Sequence, residues 1–495
     1  IARMYHKKKR SLINLPMLLR VSGWLMMIES LFMLIPMGTC LYFRESDWLP
    51  FALTAAGTGA TGFVLSRHIR PSHYSMSKRD GFLLTAMVWV VFSIFGMLPF
   101  MFCKMPISLS DAFFEAMSGF TTTGASVLLD VTHMSHGIHI WRATMQWLGG
   151  MGIILFTLAV IPMLNSSGGM LMFNAEVTGI THDKLRPRIS QTAKALWMIY
   201  FAFTIMLVAL LWSGPMNFFD SVCHAFGTIS TGGYSTRNEG IAAFNSIYVK
   251  VVLTIFMFVG GVNFSLIYRS LRGEFGALRR NDVFRTYVGL ITVMYILFVI
   301  GITTQGTYEG WEDLTIDPLF QIVSTMTSTG FTPSNFEQWG PLVLALVFML
   351  MLFGACAGST SGGAKIDRLL FLVKNCRNEL YRCIYPHAIM SVRVNGKVVS
   401  NDIVGKVIAF LCIYMLLISI GGTAMAAMGV PIIDAFFSAF SCLSNTGLGA
   451  GITGYGGSYE MLPDAAKWLL SFLMLTGRLE IFTVLLLFAP SFWRK

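Results

Sequence analysis

One short pattern occurs four times in this chain and limits what it can fold into. Thr121-Thr122-Thr123-Gly124-Ala125-Ser126 is the first copy and Ser230-Thr231-Gly232-Gly233 the second. Ser328-Thr329-Gly330-Phe331 is the third and Asn445-Thr446-Gly447-Leu448 the fourth. Each follows a short apolar segment that begins with an aspartate: Asp111, Asp220, Asp317 or Asp434. Residues 111–118 read Asp-Ala-Phe-Phe-Glu-Ala-Met-Ser, and 434–441 read Asp-Ala-Phe-Phe-Ser-Ala-Phe-Ser. Four copies of one unit, about 100 residues apart, predict a pseudo-fourfold object. A small polar Thr-Gly turn on each quarter predicts backbone carbonyls ringed around an axis, the layout of a cation selectivity filter.

Composition says where such an object sits. Only 12% of the 495 residues are charged, and the mean hydropathy is +0.65. Soluble domains carry about 25% charged residues. Many apolar runs reach the roughly 20 residues that a membrane span needs. The chain therefore reads as an all-α polytopic membrane protein in a lipid bilayer. Its eight cysteines are scattered, with no CxxC pair or Cys/His cluster to suggest a disulfide framework or a zinc site.

The net charge of +11 does not indicate nucleic acid, because the basic residues alternate between loops. Lys7–Arg10, Arg67–Arg79, Lys184–Arg188, Arg269–Arg285, Lys365–Lys406 and Arg494-Lys495 hold most of them. The intervening loops hold acids such as Glu45, Asp47, Glu309, Glu312 and Asp313. That is the positive-inside pattern, and it predicts both termini in the cytoplasm. No small-residue cleavage site follows the first apolar segment, so it reads as a retained helix.

The predicted order is an N-terminal helix pair within 1–75, repeat one within 76–180, repeat two within 181–282, repeat three within 283–400 and repeat four within 401–495. Each repeat has a first span, a short helix, a Thr-Gly turn and a second span. About ten full spans and four short helices result. The short helices are too short to cross a bilayer and must stop at the turn. Irregular backbone at that depth survives only inside protein or against water. The four aspartates are expected as N-caps, with Pro318 at a first helical position. Each short helix then points its negative C-terminal end at the centre, where it favours a cation.

Glycine admits φ > 0 without a Cβ clash. Gly124, Gly330 and Gly447 each lie thirteen residues after their aspartate, and Gly232 lies twelve after Asp220. Either Gly232 or Gly233 could hold the equivalent place in repeat two; Gly232 is expected because it keeps the Thr-Gly pair. Further glycines align in the second spans: Gly149-Gly150, Gly260-Gly261, Gly354 and Gly477. In repeats one and two they read as close helix packing.

Repeat three breaks after thirteen apolar residues, at Gly354-Ala-Cys-Ala-Gly358-Ser359-Thr360-Ser-Gly362-Gly363-Ala-Lys365. Broken helices inside bundles are where transport sites and gates lie. A phosphate-binding loop needs Gly-Lys-Ser/Thr after a strand, and here Ala364 intervenes. Repeat four carries Arg478 and Glu480 inside an apolar segment, where ionisable groups are costly. They are expected either as a mutual pair or, for Arg478, as a functional residue beneath the turns.

With these residues in view the whole chain resembles the TrkH-like subunits of the Trk/Ktr/HKT superfamily of potassium transporters. The four turns, the Gly354–Lys365 loop and Gly-Arg-Leu-Glu-Ile-Phe-Thr at 477–483 carry the resemblance. It implies four membrane–pore–membrane repeats around one pore, and K+ as the transported ion without a covalent cofactor. It also implies a homodimer in the bacterial inner membrane and a cytoplasmic TrkA-like nucleotide-binding ring of the RCK type as gating partner. The ion-contacting residues it implies are Thr122, Thr123, Gly124, Thr231, Gly232, Thr329, Gly330, Asn445, Thr446 and Gly447. Its gating loop falls on Gly354, Gly358, Ser359, Thr360, Gly362 and Gly363, and its pore arginine on Arg478. In the plant branch, serine at the first filter glycine goes with sodium transport; this chain has Gly124. Channel-like flow and symport coupled to Na+ or H+ both fit this layout.

Two other classes compete. A membrane-embedded enzyme needs His, Asp or Glu converging on one cavity. The nine histidines here are mostly isolated, and the place four after each aspartate varies among Glu115, His224, Gln321 and Ser438. A secondary transporter of another cation or a small solute is expected to show two repeats rather than four.

Overall fold

The computed structural model of the chain describes residues 13–71, 76–150, 152, 189–308 and 310–494. The basic runs at 7–10 and 184–188, and most of repeat one's expected second span beyond Gly150, lie outside the described residues.

Six helices are long and apolar enough to cross a membrane, and two bent pairs bring this to eight among the described residues. The N-terminal pair is Leu15–Phe43, interrupted at Met33, and Trp48–His68. They pack where Gly23 and Gly62 let the two backbones approach. The first spans of the repeats are Lys78–Phe102, Ile189–Trp212, Asp282–Gln305 and Asn401–Ala427. The short helices are Leu109–Phe120, Phe218–Ile229, Glu312–Met326 and Ile432–Ser444. The second spans begin with His136–Gly150, Ile247–Gly260, Pro341–Phe353 and Asp464–Arg478. Four membrane–pore–membrane repeats thus follow one helix pair in a single chain. A two-stranded hairpin, Arg393–Val394 with Lys397–Val398, is the only sheet among the described residues.

The aspartates are not the N-caps. Ser108 and Asn217 cap the first two short helices, and Asp111 and Asp220 stand three residues later; each donates its backbone N–H to the capping side chain, and its carboxylate accepts from that same side chain. One orphan amide is satisfied in each cap, and the carboxylate holds the capping side chain in place. Asp434 is likewise the third residue of its helix, after Pro431. Asp317 lies deeper, because the third helix starts at Glu312, and Pro318 is internal rather than first. A proline there cannot donate to the carbonyl four residues back. The hydroxyl of Tyr295 donates to that carbonyl, Leu314 O, at 3.1 Å.

The second spans are not straight either. Ile247–Gly260 bends by 102° into Phe264–Leu271, and Asp464–Arg478 bends by 118° into Phe482–Phe488. The break in repeat three is therefore not isolated, and it is the longest of the three among the described residues. All four spans carry a glycine at the fourteenth helical position or just beyond the last turn: Gly149, Gly260, Gly354 and Gly477. A Cβ on Gly149 would overlap the carbonyl of Phe120, and one on Gly477 the carbonyl of Leu443, so close packing against the short helices explains these two.

Candidate ion pathway and gate

Each short helix ends in the same way. Thr123 N bonds Ser118 O at 2.9 Å, Gly232 N bonds Gly227 O at 2.7 Å, Thr329 N bonds Ser324 O at 2.8 Å and Thr446 N bonds Ser441 O at 2.9 Å. Inside each lies a second bond that spans fewer residues, from Thr122, Thr231, Ser328 or Asn445 back three residues. These are the two bonds of a Schellman ending, whose hinge residue is left-handed. Those four residues have φ of 54°, 54°, 55° and 53°. A β-branched threonine is an uncommon occupant of that region.

Two residues on, the backbone turns left-handed again, at Gly124, Gly233, Gly330 and Gly447, with φ of 82°, 80°, 83° and 75°. Gly233, not Gly232, is therefore the counterpart of the other three glycines, and it too lies thirteen residues after its aspartate. Gly232 is the counterpart of Thr123, Thr329 and Thr446. These glycines close a ring. A Cβ on Gly124 would overlap the carbonyl oxygen of Gly232; on Gly233, that of Thr329; on Gly330, that of Thr446; on Gly447, that of Thr123. Each turn thus leans its carbonyl on the glycine of another, and the cycle of four returns to its start. All four glycines line one polar cavity of about 170 Å3, which forms a vestibule on that side of the ring.

The turns are braced from behind. Thr121 and Thr123 hydroxyls pair at 2.8 Å, as do Thr327 with Thr329 and Ser444 with Thr446. Glu115 and Arg142 form a buried ion pair at 2.8 Å; Glu115 accepts from Val127 N, and the guanidinium lies over the Tyr234 ring. The position that varies among repeats mostly braces the segment after its turn: His224 Nε2 meets Ser235 Oγ at 3.0 Å, and Ser438 meets Thr453 at 3.2 Å. Asp111 and Asp317 are held by buried lysines at the fourth position of second spans, Lys467 and Lys250.

On the face opposite the vestibule, the Gly354–Lys365 segment lies against the turns. Gly362 N donates to Ser328 Oγ at 2.6 Å, and a Cβ there would overlap Ser444 O. Thr360 Oγ1 reaches Ile229 O at 3.2 Å. Arg478 Nη1 donates to Thr122 Oγ1 at 2.9 Å and to Thr360 O at 3.1 Å, and Nη2 donates to Gly149 O at 2.8 Å. Loop and arginine together touch all four quarters. The loop is tied down along its length: Cys356 N bonds Gly261 O, Asn263 Nδ2 bonds Ala357 O at 2.7 Å, and Ala357 N bonds Asp367 Oδ1 at 3.0 Å. Gly354, Gly358 and Gly363 take φ of 62°, 76° and 73°, which glycine permits. Glu480 is engaged by Arg368, with Lys365 at 3.8 Å, rather than by Arg478.

A family profile described as "TrkH: Cation transport protein" matches residues 54–300 and 288–495. This chain belongs to the TrkH family. The Trk system potassium uptake protein TrkH of Escherichia coli K12 is 35% identical over 480 residues, covering 96% of this chain and 99% of that protein. The protein of the same name from Halomonas elongata is 35% identical over 492 residues, 98% of this chain and 100% of that one. The crystal structure of the potassium transporter TrkH from Vibrio parahaemolyticus superposes with a TM-score of 0.88 at 31% identity, over 97% of this chain and all of that chain.

In this TrkH-family chain the expected turn residues come together from four distant stretches, as do the loop and Arg478. Among the residues not singled out in the sequence are Arg142 and Gln146. Their signal was available: an arginine and a glutamine one helical turn apart inside an otherwise largely apolar segment, the kind of placement that draws attention to Arg478.

Proposed function

We propose that this chain carries K+ across the bacterial inner membrane, through the ring formed by the four turns. The cycle of four carbonyl-to-glycine contacts supports this reading above any other feature. Carbonyls in such a ring stand in for the hydration shell of the ion. The short helices add negative partial charge from their C-terminal ends. Thr122, Thr123, Gly124, Thr231, Gly232, Gly233, Thr329, Gly330, Asn445, Thr446 and Gly447 are the residues we assign to ion contact. The Gly354–Gly363 segment and Arg478 are the barrier, one steric and one electrostatic. Following the loop charges, both termini face the cytoplasm. The chain works as a homodimer, and a cytoplasmic RCK-type nucleotide-binding ring docks on its basic inner face to displace the barrier.

The test is ion flux into liposomes holding the purified protein, comparing K+, Rb+ and Na+. The parent should favour K+ and Rb+ over Na+. Gly124→Ser forces a side chain onto the Gly232 carbonyl and should raise Na+ flux relative to K+. An unchanged ratio at normal protein level removes Gly124 from the filter.

A further inference from the structure

The second quarter of the ring breaks the pattern of the other three in two places at once. Where the others have Thr123, Thr329 and Thr446, it has Gly232. Nothing in the backbone requires glycine there, because Gly232 is not among the left-handed residues. The space is simply taken. A Cβ on Gly232 would lie 2.5 Å from Cδ of Gln146. Gln146 Nε2 donates to Gly232 O at 2.6 Å, and Gln146 Oε1 accepts from Tyr234 N at 3.2 Å.

Gln146 is itself the exception among its counterparts. It stands three residues before Gly149, and the residues three before Gly260, Gly354 and Gly477 are Met257, Met351 and Met474. All four side chains are buried, with at most 1% exposure. Counting each turn with the second span of the repeat before it, three sets combine methionine with threonine, and the set of Gln146 from repeat one with the turn of repeat two combines glutamine with glycine. A thioether offers no amide donor; the glutamine offers a donor and an acceptor, and both are used. The Gly232 carbonyl, one of the four that lean on a neighbouring glycine, is thereby bound by a side-chain amide.

We propose that Gln146 is a positioning residue for ion selectivity, paired with Gly232 as a compensating exchange for the methionine–threonine combination of the other quarters. This rests on the filter reading above. Gln146 fixes the direction of one ring carbonyl and leaves it less free to follow a smaller ion. Without its amide, the carbonyl can tilt inward, and Na+ is discriminated against less.

The experiment uses purified full-length protein in liposomes, with K+ and Na+ flux measured on four chains: the parent, Gln146→Met, Gly232→Thr, and the double variant. Gln146→Met keeps the volume and loses both hydrogen bonds. Its K+/Na+ ratio should fall by roughly fivefold, the factor to which the net contribution of one hydrogen bond corresponds. Gly232→Thr should purify poorly or lose selectivity, since its Cβ meets Gln146. The double variant recreates the combination of the other quarters, with Ser230 placed to pair with the introduced hydroxyl, and should return to within about twofold of the parent ratio. A parent-like ratio in Gln146→Met, or a double variant no better than Gln146→Met alone, overturns the proposal. Gly124→Ser is run beside them. If it shifts the ratio while Gln146→Met does not, the filter reading stands and this inference falls; if neither shifts, both fall.

Discussion

Replacing Arg478 by glutamine tests how the pathway is held shut. The guanidinium makes bonds of 2.9, 3.1 and 2.8 Å to Thr122, Thr360 and Gly149. Of the three, only the bond to Thr360 joins Arg478 to the loop, and a hydrogen bond from a charged group is worth about 1.5–3 kcal/mol, so roughly 2 kcal/mol of the seated loop depends on it. At about 1.4 kcal/mol per decade, that is between about one and two decades in the ratio of seated to displaced loop. The charge acts separately. A guanidinium about 4 Å from a passing K+ repels it by about 4 kcal/mol at an effective dielectric near 20. That is about three decades in rate if all of it falls on the barrier, and pathway water reduces it.

Both effects have the same sign, so Arg478→Gln should raise Rb+ flux into liposomes by about 100-fold or more at equal protein. Arg478→Lys separates them. It keeps the charge and replaces the planar fork by a flexible point donor. If repulsion is the larger effect, as the magnitudes indicate, the lysine variant stays much nearer the parent than the glutamine variant. If the tether dominates, both rise together. Folded Arg478→Gln protein with flux at or below the parent level would falsify the reasoning and place the gate elsewhere.

Three further outcomes are expected. Lys250→Met leaves Asp317 as an uncompensated buried carboxylate and should cost about 3–5 kcal/mol, read as a lower unfolding temperature in detergent, with Asp317→Asn in the same chain recovering part of it. Gly233→Ala should reduce K+/Na+ selectivity in the same sense as Gly124→Ala, Gly330→Ala and Gly447→Ala; a parent-like ratio in Gly233→Ala alone would break the proposed register. Arg279→Glu with Arg280→Glu, on exposed residues ending the helix Phe275–Arg280, should weaken co-purification with an RCK-type ring, and full retention would take this helix out of the interface.

The fourfold plan is legible in the text because every quarter must end a short helix in the same left-handed hinge and then supply a left-handed glycine. The register of repeat two is the place where dipeptide text misleads. Thr231-Gly232 looks like Thr123-Gly124, but the constant thirteen-residue spacing from Asp220 leads to Gly233, and spacing reflects the helix length that geometry fixes. The caps are written as Ser108-x-x-Asp111 and Asn217-x-x-Asp220, a recognisable start signal that assigning the cap to the aspartate passes over. The bend after Arg478 is not written locally. Glu480 and Ile481 adopt φ of 55° and 43° with no glycine or proline at either place. A β-branched residue there is strained, and such strain persists only where surroundings over-determine it. Here the surroundings are Arg368 of the helix Ile366–Ile384 and Lys365 just before it, far away in sequence.

The departures from symmetry explain why one chain carries all four quarters. Among the described residues the space on the far side of the ring holds one loop, from repeat three, and that segment already contacts turns two, three and four, with Arg478 of repeat four reaching turn one. Four identical subunits would bring four such loops and four such arginines to the same place. Gly362 alone lies so close to Ser444 O and Asn445 that a Cβ would not fit, so further copies could not enter without displacing the first. Four arginines facing one another there would also repel more strongly than any hydrogen bond to the turns could offset. Fusing the repeats lets each keep the shared turn, which the ring requires four times, while a loop, a guanidinium and the Gln146–Gly232 exchange are each placed once. Selectivity in this reading follows from what the quarters share, and gating from what only one of them has.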